Sequence, residues 1–294
     1  MPVPTEMVGD QIGPLRHEVD ARWLMAYAAS LGDTQDCYFD TRRTEGIVAH
    51  PMFAVCPEWP VIVQGRELAN KWGITAEETR QSVHATHDLI IHRLAKPGDV
   101  LSTHLTYTGV ESKSPGAYTT MKIETVDAAG EPVFTTHQGG MYLGVPTQGE
   151  DRPSLNEPEV PDLGPLPDNL LREVQVPVAK GAAHTYTESA RIWNPIHTDA
   201  SVAEAAGLPA IILHGTATLA LGVSATISEV AGGNPERVRR IRGRMASMVL
   251  MPSTIKVKIF DVTSVEDLSV ARFEVLTEGG GPAINQGLVF FESD

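Results

Sequence analysis

The sequence has few cysteines and a shortage of basic residues. Cys37 and Cys56 are the two cysteines among 294 residues, which excludes a disulfide framework and a cysteine-rich zinc site. Lys and Arg total 23 against 37 for Asp and Glu, so the net charge is −14. This balance argues against nucleic acid and anionic membranes as partners, because both attract basic surfaces. An anionic small molecule stays open, since local charge can oppose the net charge.

Long apolar runs are missing as well. No segment approaches the roughly 18 apolar residues that a membrane span needs. The opening segment MPVPTEMVGDQIG lacks the basic and apolar regions of a signal peptide. We therefore expect a cytoplasmic protein without a membrane partner. With 42% hydrophobic residues, the chain is long enough to bury a large core in one or two domains.

Residues 146–177 form a proline-rich acidic segment near the middle of the chain. They contain seven of the 21 prolines and seven acidic residues. Proline fixes φ and removes a backbone donor, so this composition excludes a helix or a central strand. We predict an extended surface linker between an N-terminal domain at 1–145 and a C-terminal domain at 178–294.

The two halves follow the same plan, a helix and then strands. The N-terminal half has helical spacing over 21–30 and an apolar run over 51–68, read as a buried helix that Pro57 and Pro60 must kink or break. In the C-terminal half, the sequence at 216–230 predicts a helix with apolar residues on nearly all sides, which is therefore buried. Four strand-like runs follow each helix: 82–92, 101–111, 117–126 and 132–142, then 238–249, 254–262, 268–276 and 283–291. We predict an α+β fold, two copies of a curved antiparallel sheet wrapped around a central helix.

The densest polar segment lies at 188–199 and contains His197. Asn194-Pro195 is a turn signal, and the proline stiffens the backbone shortly before this histidine. Histidine titrates near neutrality, so His197 suits proton transfer. Asp199 precedes a short helical run and is read mainly as its N-cap.

Gly215 follows His214 at the start of the predicted buried helix. The free N–H groups at such a helix start can stabilise an oxyanion. A glycine that serves only close helix–sheet packing is an equally good interpretation, and both stay open.

Arginines cluster at the start of the first strand of the C-terminal meander. Five of the 23 basic residues fall within eight positions, and Arg suits phosphate recognition. A solvated outer sheet face is the competing interpretation. The clustered residues are Arg237, Arg239, Arg240, Arg242 and Arg244.

These segments resemble the MaoC-like dehydratases, the R-specific enoyl-CoA hydratases of the hydratase 2 type. The likeness covers most of the chain apart from the linker. It is carried by RIWNPIHTD at 191–199, AAGLP at 205–209 and ILHG at 212–215, with moderate support from AYAASLGD at 26–33, PMFAV at 51–55 and RLAKPGD at 93–99.

The resemblance implies a double hotdog fold and reversible addition of water across the C2–C3 double bond of a 2-enoyl-CoA. On this chain His197 matches the acid–base histidine, Gly215 the glycine whose N–H holds the thioester oxygen, and Asn194 the asparagine that orders the site. It implies no cofactor and no metal, because coenzyme A is part of the acyl-CoA substrate, and it favours a homodimer. We assign substrate binding to Arg240, Arg242, Arg244 and His214.

The aspartate position departs from the family pattern, and the Ser-Gly that precedes it is changed to Ala190-Arg191. The family aspartate lies five residues before the histidine, where this chain has Ile192. Isoleucine cannot transfer a proton, so several alternatives follow. A different acid replaces the aspartate, or His197 acts alone on an unusual acyl-CoA, or the chain is an acyl-CoA thioesterase or a non-catalytic acyl-CoA-binding subunit. The candidate acids are Glu188, Asp199, Asp33 and Asp36.

Overall fold

The computed structural model describes residues 2–293, and the side chains of all of these except residues 67 and 69. The strands in this range are β1 (Val3–Pro4), β2 (Gln11–Glu18), β3 (Ser82–Ile91), β4 (Val100–Lys113), β5 (Gly116–Val126), β6 (Pro132–Leu143), β7 (Thr147–Gln148), β8 (Arg172–Val178), β9 (Val238–Met245), β10 (Ser253–Val265), β11 (Leu268–Leu276) and β12 (Pro282–Glu292). The α-helices are α1 (Ala21–Ser30), α2 (Asp36–Phe39), α3 (Val55–Lys71), α4 (Ala76–Arg80), α5 (Ala182–Ala190), α6 (Ala200–Ala205) and α7 (Gly215–Val230). Short 3₁₀ segments lie at Thr5–Met7, Pro51–Ala54, Pro195–His197 and Pro235–Arg237.

One antiparallel sheet runs through both halves of the molecule. Its order over the described residues is β2-β4-β5-β6-β3-β9-β12-β11-β10-β8. The halves join where β3 pairs with β9, with Leu89 opposite Ile241 and Asp88 opposite Arg242. The short strands β1 and β7 pair separately and in parallel. The predicted α+β arrangement is therefore confirmed, and the two sheets form one continuous surface.

A long helix lies against the sheet of each half. Helix α3 contacts β2, β4 and β5, and α7 contacts β8 to β12. Gly222 on α7 permits the close approach of helix and sheet, because a Cβ there would lie 2.7 Å from both Phe273 Cε2 and Val275 Cγ2. The apolar pattern of α7 thus reflects burial, as the sequence predicts.

Helices α1 and α5 pack together at the junction of the halves. Asp20 caps α1 by accepting a hydrogen bond from the Trp23 N–H at 2.7 Å, and the Trp23 indole N–H donates to the Ser189 carbonyl at 3.0 Å. The hydroxyls of Tyr27 and Tyr186 lie 3.3 Å apart in the buried interior. One apolar core therefore continues from one half into the other.

The predicted helices and strands agree with the structure within a few residues, with three differences. The first strand of the C-terminal meander ends at Met245, four residues earlier than expected. The run 51–68 begins as a 3₁₀ turn, and α3 continues through Pro60 to Lys71 without a break. Strands β2 and β8 and helices α2, α4 and α5 form where no clear sequence pattern predicts them.

The segment predicted as a linker is extended up to β8. Residues 172–177 of that segment belong to β8, which is the edge strand of the sheet and therefore tolerates Pro177. The outer residues of the predicted domains, Met1 and Asp294, lie outside the described residues. Over residues 2–293, no helix combines the length and the apolar character that crossing a membrane requires.

Candidate active site

His197 is fixed by the turn that precedes it. It is the last residue of the 3₁₀ segment that begins at Pro195, and it is 8% exposed. Its Nδ1 lies 2.9 Å from the carbonyl oxygen of Ile212. A carbonyl can only accept, so Nδ1 carries the hydrogen and Nε2 keeps the lone pair. Burial lowers the pKa of His197 to about 4, so the ring is neutral near pH 7 and Nε2 can accept a proton.

His214 stacks on His197 and prevents the neighbouring ring from tilting. The two ring centroids are 3.7 Å apart with an interplanar angle of 25°. The Nε2 atom of His214 lies 3.2 Å from the Thr187 hydroxyl on α5. Burial, together with the His197 ring, lowers the pKa of His214 well below its ordinary value. Both imidazoles are therefore neutral, and a positive charge on either one disfavours a charge on the other.

Gly215 is the first residue of α7, with His214 as the cap residue before it. The first N–H groups of a helix have no intrahelical acceptor, so this end can hold a negative oxygen. A Cβ at Gly215 would lie 3.2 Å from Met245 Cγ. Next to it, the Thr216 hydroxyl accepts a hydrogen bond from the Tyr186 hydroxyl at 3.1 Å. The contact with Met245 agrees with the close-packing interpretation made from the sequence, and the role of the Gly215 N–H as an oxyanion donor stays a prediction.

A cavity of about 300 Å³ brings these residues together. His197, His214 and Gly215 line it, and so do Asn194 and Ile192 from the same loop region. The opposite wall comes from α3 and from β3 to β6 of the N-terminal half. Three sequence-predicted catalytic residues, His197, Asn194 and Gly215, therefore share one cavity with the predicted binding residue His214. The cavity lies between the two halves and needs both.

Ile192 lies in the wall of this cavity, where its buried side chain provides an apolar surface. The acids considered as replacements lie elsewhere. Asp199 caps α6 by accepting hydrogen bonds from the backbone N–H groups of Ser201 and Val202. Glu188 is exposed on α5. None of Glu188, Asp199, Asp33 or Asp36 is among the described residues that line the cavity.

A carboxylate that the sequence analysis did not single out lines the cavity instead. Glu58 lies in the first turn of α3 and is 1% exposed. Its Oε1 accepts a hydrogen bond from the Thr136 hydroxyl on β6 at 2.5 Å. Burial raises its pKa to about 7. The one available signal was an acidic residue inside an otherwise apolar run, which is also what an ordinary first-turn helix residue looks like.

The arginines of β9 divide into two groups. Arg240 forms two hydrogen bonds of 2.7 Å with the Asp88 carboxylate on β3, and it donates to the linker carbonyls of Pro158 and Glu159. Arg242 lies 3.5 Å from the same carboxylate. Neither residue is in the described cavity wall, so the structure does not bring them to the predicted catalytic residues.

Arg244 is the exposed member of the cluster. It lies two residues before Ala246 in the sequence. Ala246, Ser247 and Met248 are exposed and line the cavity, so we call them its rim. Among the clustered arginines it is therefore the one closest along the chain to this rim, while Arg66 on α3 lines the cavity itself. Within residues 2–293, no group of three or more His, Cys, Asp or Glu is placed to hold a metal ion.

Comparison with known families matches each half separately. A model described as a MaoC-like domain matches residues 165–276. A model described as a FAS1-like dehydratase domain region matches residues 6–136. The two matched ranges correspond to the two halves of the molecule, whose sheets pair through β3 and β9.

Curated relatives include two peroxisomal enzymes. Peroxisomal multifunctional enzyme type 2 of Drosophila melanogaster is 24% identical over 250 residues, which cover 83% of this chain and 41% of the relative. Peroxisomal enoyl-CoA hydratase 2 of Arabidopsis thaliana is 40% identical over 63 residues, 21% of this chain and 20% of the relative. The chain thus spans less than half the length of these relatives.

Among solved structures, a MaoC-like dehydratase from Phytophthora capsici has the same fold. It superposes with a TM-score of 0.78 at 17% identity, covering 98% of this chain and 96% of that chain. The expected double hotdog fold is therefore confirmed. Within this fold, the N-terminal half is similar to the FAS1-like dehydratase region and the C-terminal half is similar to the MaoC-like domain.

Proposed function

We propose that this protein adds water to the C2–C3 double bond of a 2-enoyl-CoA and catalyses the reverse dehydration of the 3-hydroxyacyl-CoA. One observation carries the proposal. A neutral histidine of fixed tautomer and the free N-terminal end of a buried helix line one cavity, as this reaction requires. Similarity to the peroxisomal enoyl-CoA hydratase 2 of Arabidopsis thaliana supports the same reaction class.

The Gly215 N–H holds the thioester oxygen in this account. Attack of water at C3 moves charge onto that oxygen, and a backbone donor at a helix start stabilises the enolate that forms. A side chain at this position would begin 3.2 Å from Met245 Cγ, so glycine keeps this end of the helix uncrowded.

His197 accepts the proton of the attacking water through Nε2. The hydrogen bond from Nδ1 to the Ile212 carbonyl and the stacked ring of His214 keep the imidazole in place. Asn194 lies at the start of the same turn and lines the cavity, where its amide is available to order the water. His214 contributes a neutral wall for the substrate.

Coenzyme A lies outside the cavity in this proposal, along the rim at 246–248. Arg244 is the exposed arginine next to this rim, so we assign the contact with the phosphates of coenzyme A to Arg244 first, while Arg240 and Arg242 hold Asp88. Arg244→Gln should raise the KM for crotonyl-CoA and weaken its salt dependence. An unchanged KM at all salt concentrations would assign Arg244 to the protein surface only.

The direct experiment is hydration of crotonyl-CoA, followed by loss of the enoyl thioester absorbance. His197→Ala should lower kcat about 10²–10⁴-fold, the usual contribution of a positioned acid–base group. His104→Ala is the matched control, because His104 lies on β4 beside Glu124 and away from the cavity. It should leave kcat unchanged.

Other outcomes of this assay separate the alternatives. Release of free coenzyme A without hydration would indicate a thioesterase. Binding of crotonyl-CoA without turnover would indicate a non-catalytic subunit. A cytoplasmic location and a homodimer stay predictions from the sequence, and light scattering on the purified chain tests the second.

A further inference from the structure

Hydration needs two proton transfers, and the loop before α7 supplies one group for them, His197. Water must lose a proton as it attacks C3, and C2 must gain one. Among the described residues, the hydrogen-bond partner of the His197 ring nitrogens is the Ile212 carbonyl, which accepts from Nδ1. The position that would pair a carboxylate with His197 in the family pattern holds the apolar side chain of Ile192. The second proton must therefore come from another part of the cavity wall.

Glu58 provides a carboxyl group on the opposite wall of the same cavity. Helix α3 presents it, with Trp59 and Ile62 lining the cavity beside it. The Thr136 hydroxyl holds Oε1. The other oxygen, Oε2, is buried and has no hydrogen-bond partner among the residues that the structure describes. One oxygen is thus anchored and the second is free for a ligand.

An unsatisfied buried carboxyl oxygen is costly to a fold. Burying a polar group without a hydrogen bond costs about 1–3 kcal/mol in proteins, and natural structures contain few such groups. An apolar residue of similar size would suit this position better if packing were its purpose. An orphaned acid in a cavity that also contains a neutral histidine is instead the arrangement expected of a proton donor.

The groups around Glu58 leave its charge uncompensated. Burial raises the pKa of Cys56 on the same helix and of Tyr27 on α1, and the Glu58 charge adds a smaller contribution in the same direction to each. The charged and titratable groups that line the same cavity are Arg66, His84, Tyr107, Tyr142, His197 and His214. None of these, and no other described group, lies near enough to lower the pKa of Glu58 by its charge, and the Thr136 hydrogen bond only partly offsets the effect of burial.

We propose that Glu58 is the second catalytic residue of this site, the acid that protonates C2 while His197 takes a proton from water. The proposal rests on the function proposed above and adds a residue from the N-terminal half. The site is then shared, because the base comes from the loop before α7 and the acid from the first turn of α3.

The step balances as follows. The water oxygen forms a bond to C3, and one water proton moves to Nε2 of His197. The electron pair of the C2–C3 double bond moves toward the thioester oxygen, held by the Gly215 N–H. The enolate then takes the proton from Oε2 of Glu58. The products are the 3-hydroxyacyl thioester, a histidinium and a carboxylate, and proton return from His197 to Glu58 through water restores the site.

The first test is turnover of crotonyl-CoA by Glu58→Gln. The amide keeps the size of the side chain and an oxygen for the Thr136 hydroxyl but has no transferable proton. We expect kcat to fall about 10²–10⁴-fold with a KM within about threefold of the original value. Glu188→Gln, an exposed acid on α5, is the matched control and should keep full activity.

The second test isolates proton transfer at C2. In D₂O, the wild-type protein should exchange the C2 protons of butyryl-CoA, which has no double bond to hydrate, and NMR follows the loss of the C2–H signal. Glu58→Gln should abolish this exchange, while His197→Gln should retain it. Retention of exchange in Glu58→Gln, or its loss in His197→Gln, would overturn the assignment.

The two proposals fail in different ways. No hydration by the wild-type protein rejects the proposed function. Hydration that depends on His197 but continues at the original rate in Glu58→Gln rejects Glu58 alone and leaves the function standing.

Discussion

Replacing Glu58 by Gln should make the fold more stable at alkaline pH while it removes activity. Burial raises the pKa of Glu58 from 4.5 to about 7 in the folded protein. The folded state therefore binds this proton more tightly than the unfolded state does. Its contribution to stability is full below pH 4.5 and is lost as the pH rises through 7. A difference of one pKa unit between the folded and unfolded states corresponds to about 1.36 kcal/mol. The free energy of unfolding of the wild-type protein is therefore lower by about 3 kcal/mol at pH 8 than below pH 4.5.

The assay is urea unfolding of wild type and Glu58→Gln at pH 5 and pH 8. Glutamine does not titrate, so the variant should gain about 2.5 kcal/mol on the wild type between pH 5 and pH 8, because part of the wild-type loss has already occurred at pH 5. Glu188→Gln controls for the loss of a carboxylate at an exposed site and should show almost no pH-dependent difference. The same stability difference at both pH values would refute the reasoning, because Glu58 would then titrate as an ordinary surface acid.

Two further predictions concern packing and the joint between the halves. Arg240→Met should lower the free energy of unfolding by about 3 kcal/mol, as measured by urea unfolding. This is the low end for breaking a buried ion pair, since Arg242 still faces the Asp88 carboxylate in the variant. A loss below about 1 kcal/mol would contradict a structural role for the Arg240–Asp88 pair. Gly222→Ala should cost about 1–3 kcal/mol through overpacking against Phe273, despite the better helix propensity of alanine; a thermal scan that shows higher stability would contradict this.

The regular elements could be predicted because their patterns are local. Alternating and helical spacing placed α1, α7 and both meanders within a few residues. Strand β2 was missed since Gly13 and Pro14 interrupt it, and β8 was hidden in a proline-rich acidic segment. Their pairing with β4 and β10 depends on distant partners, which spacing within a segment does not reveal.

The candidate site was predicted only on the side where its residues are close in sequence. His197, His214 and Gly215 stand in two neighbouring motifs, so local reasoning found them. Glu58 comes from the other half, and its meeting with His197 in one cavity is produced by the joining of the sheets at β3 and β9. No periodicity relates residues that are so far apart in the chain.

For the arginine cluster, the sequence pattern suggested a ligand site where the structure shows ion pairs within the protein. Its density suggested an anion site, and the sequence had no means of showing that Asp88 lies opposite Arg242 in the register of β3 and β9. The structure gives Arg240 a role in holding the linker as well, through the carbonyls of Pro158 and Glu159. Arg240 and Arg242 thus face a largely buried carboxylate, and the assignment of Arg244 to substrate binding stays a prediction.

The pH dependence of kcat/KM for crotonyl-CoA tests the central claim most directly. Burial lowers the pKa of His197 to about 4 and raises that of Glu58 to about 7, so the neutral base and the protonated acid coexist between these values. The account predicts a maximum near pH 5–6 and a fall of about tenfold per pH unit above 7. A rate that rises through pH 6.5, as for an ordinary histidine base, and stays high at pH 8 would contradict it.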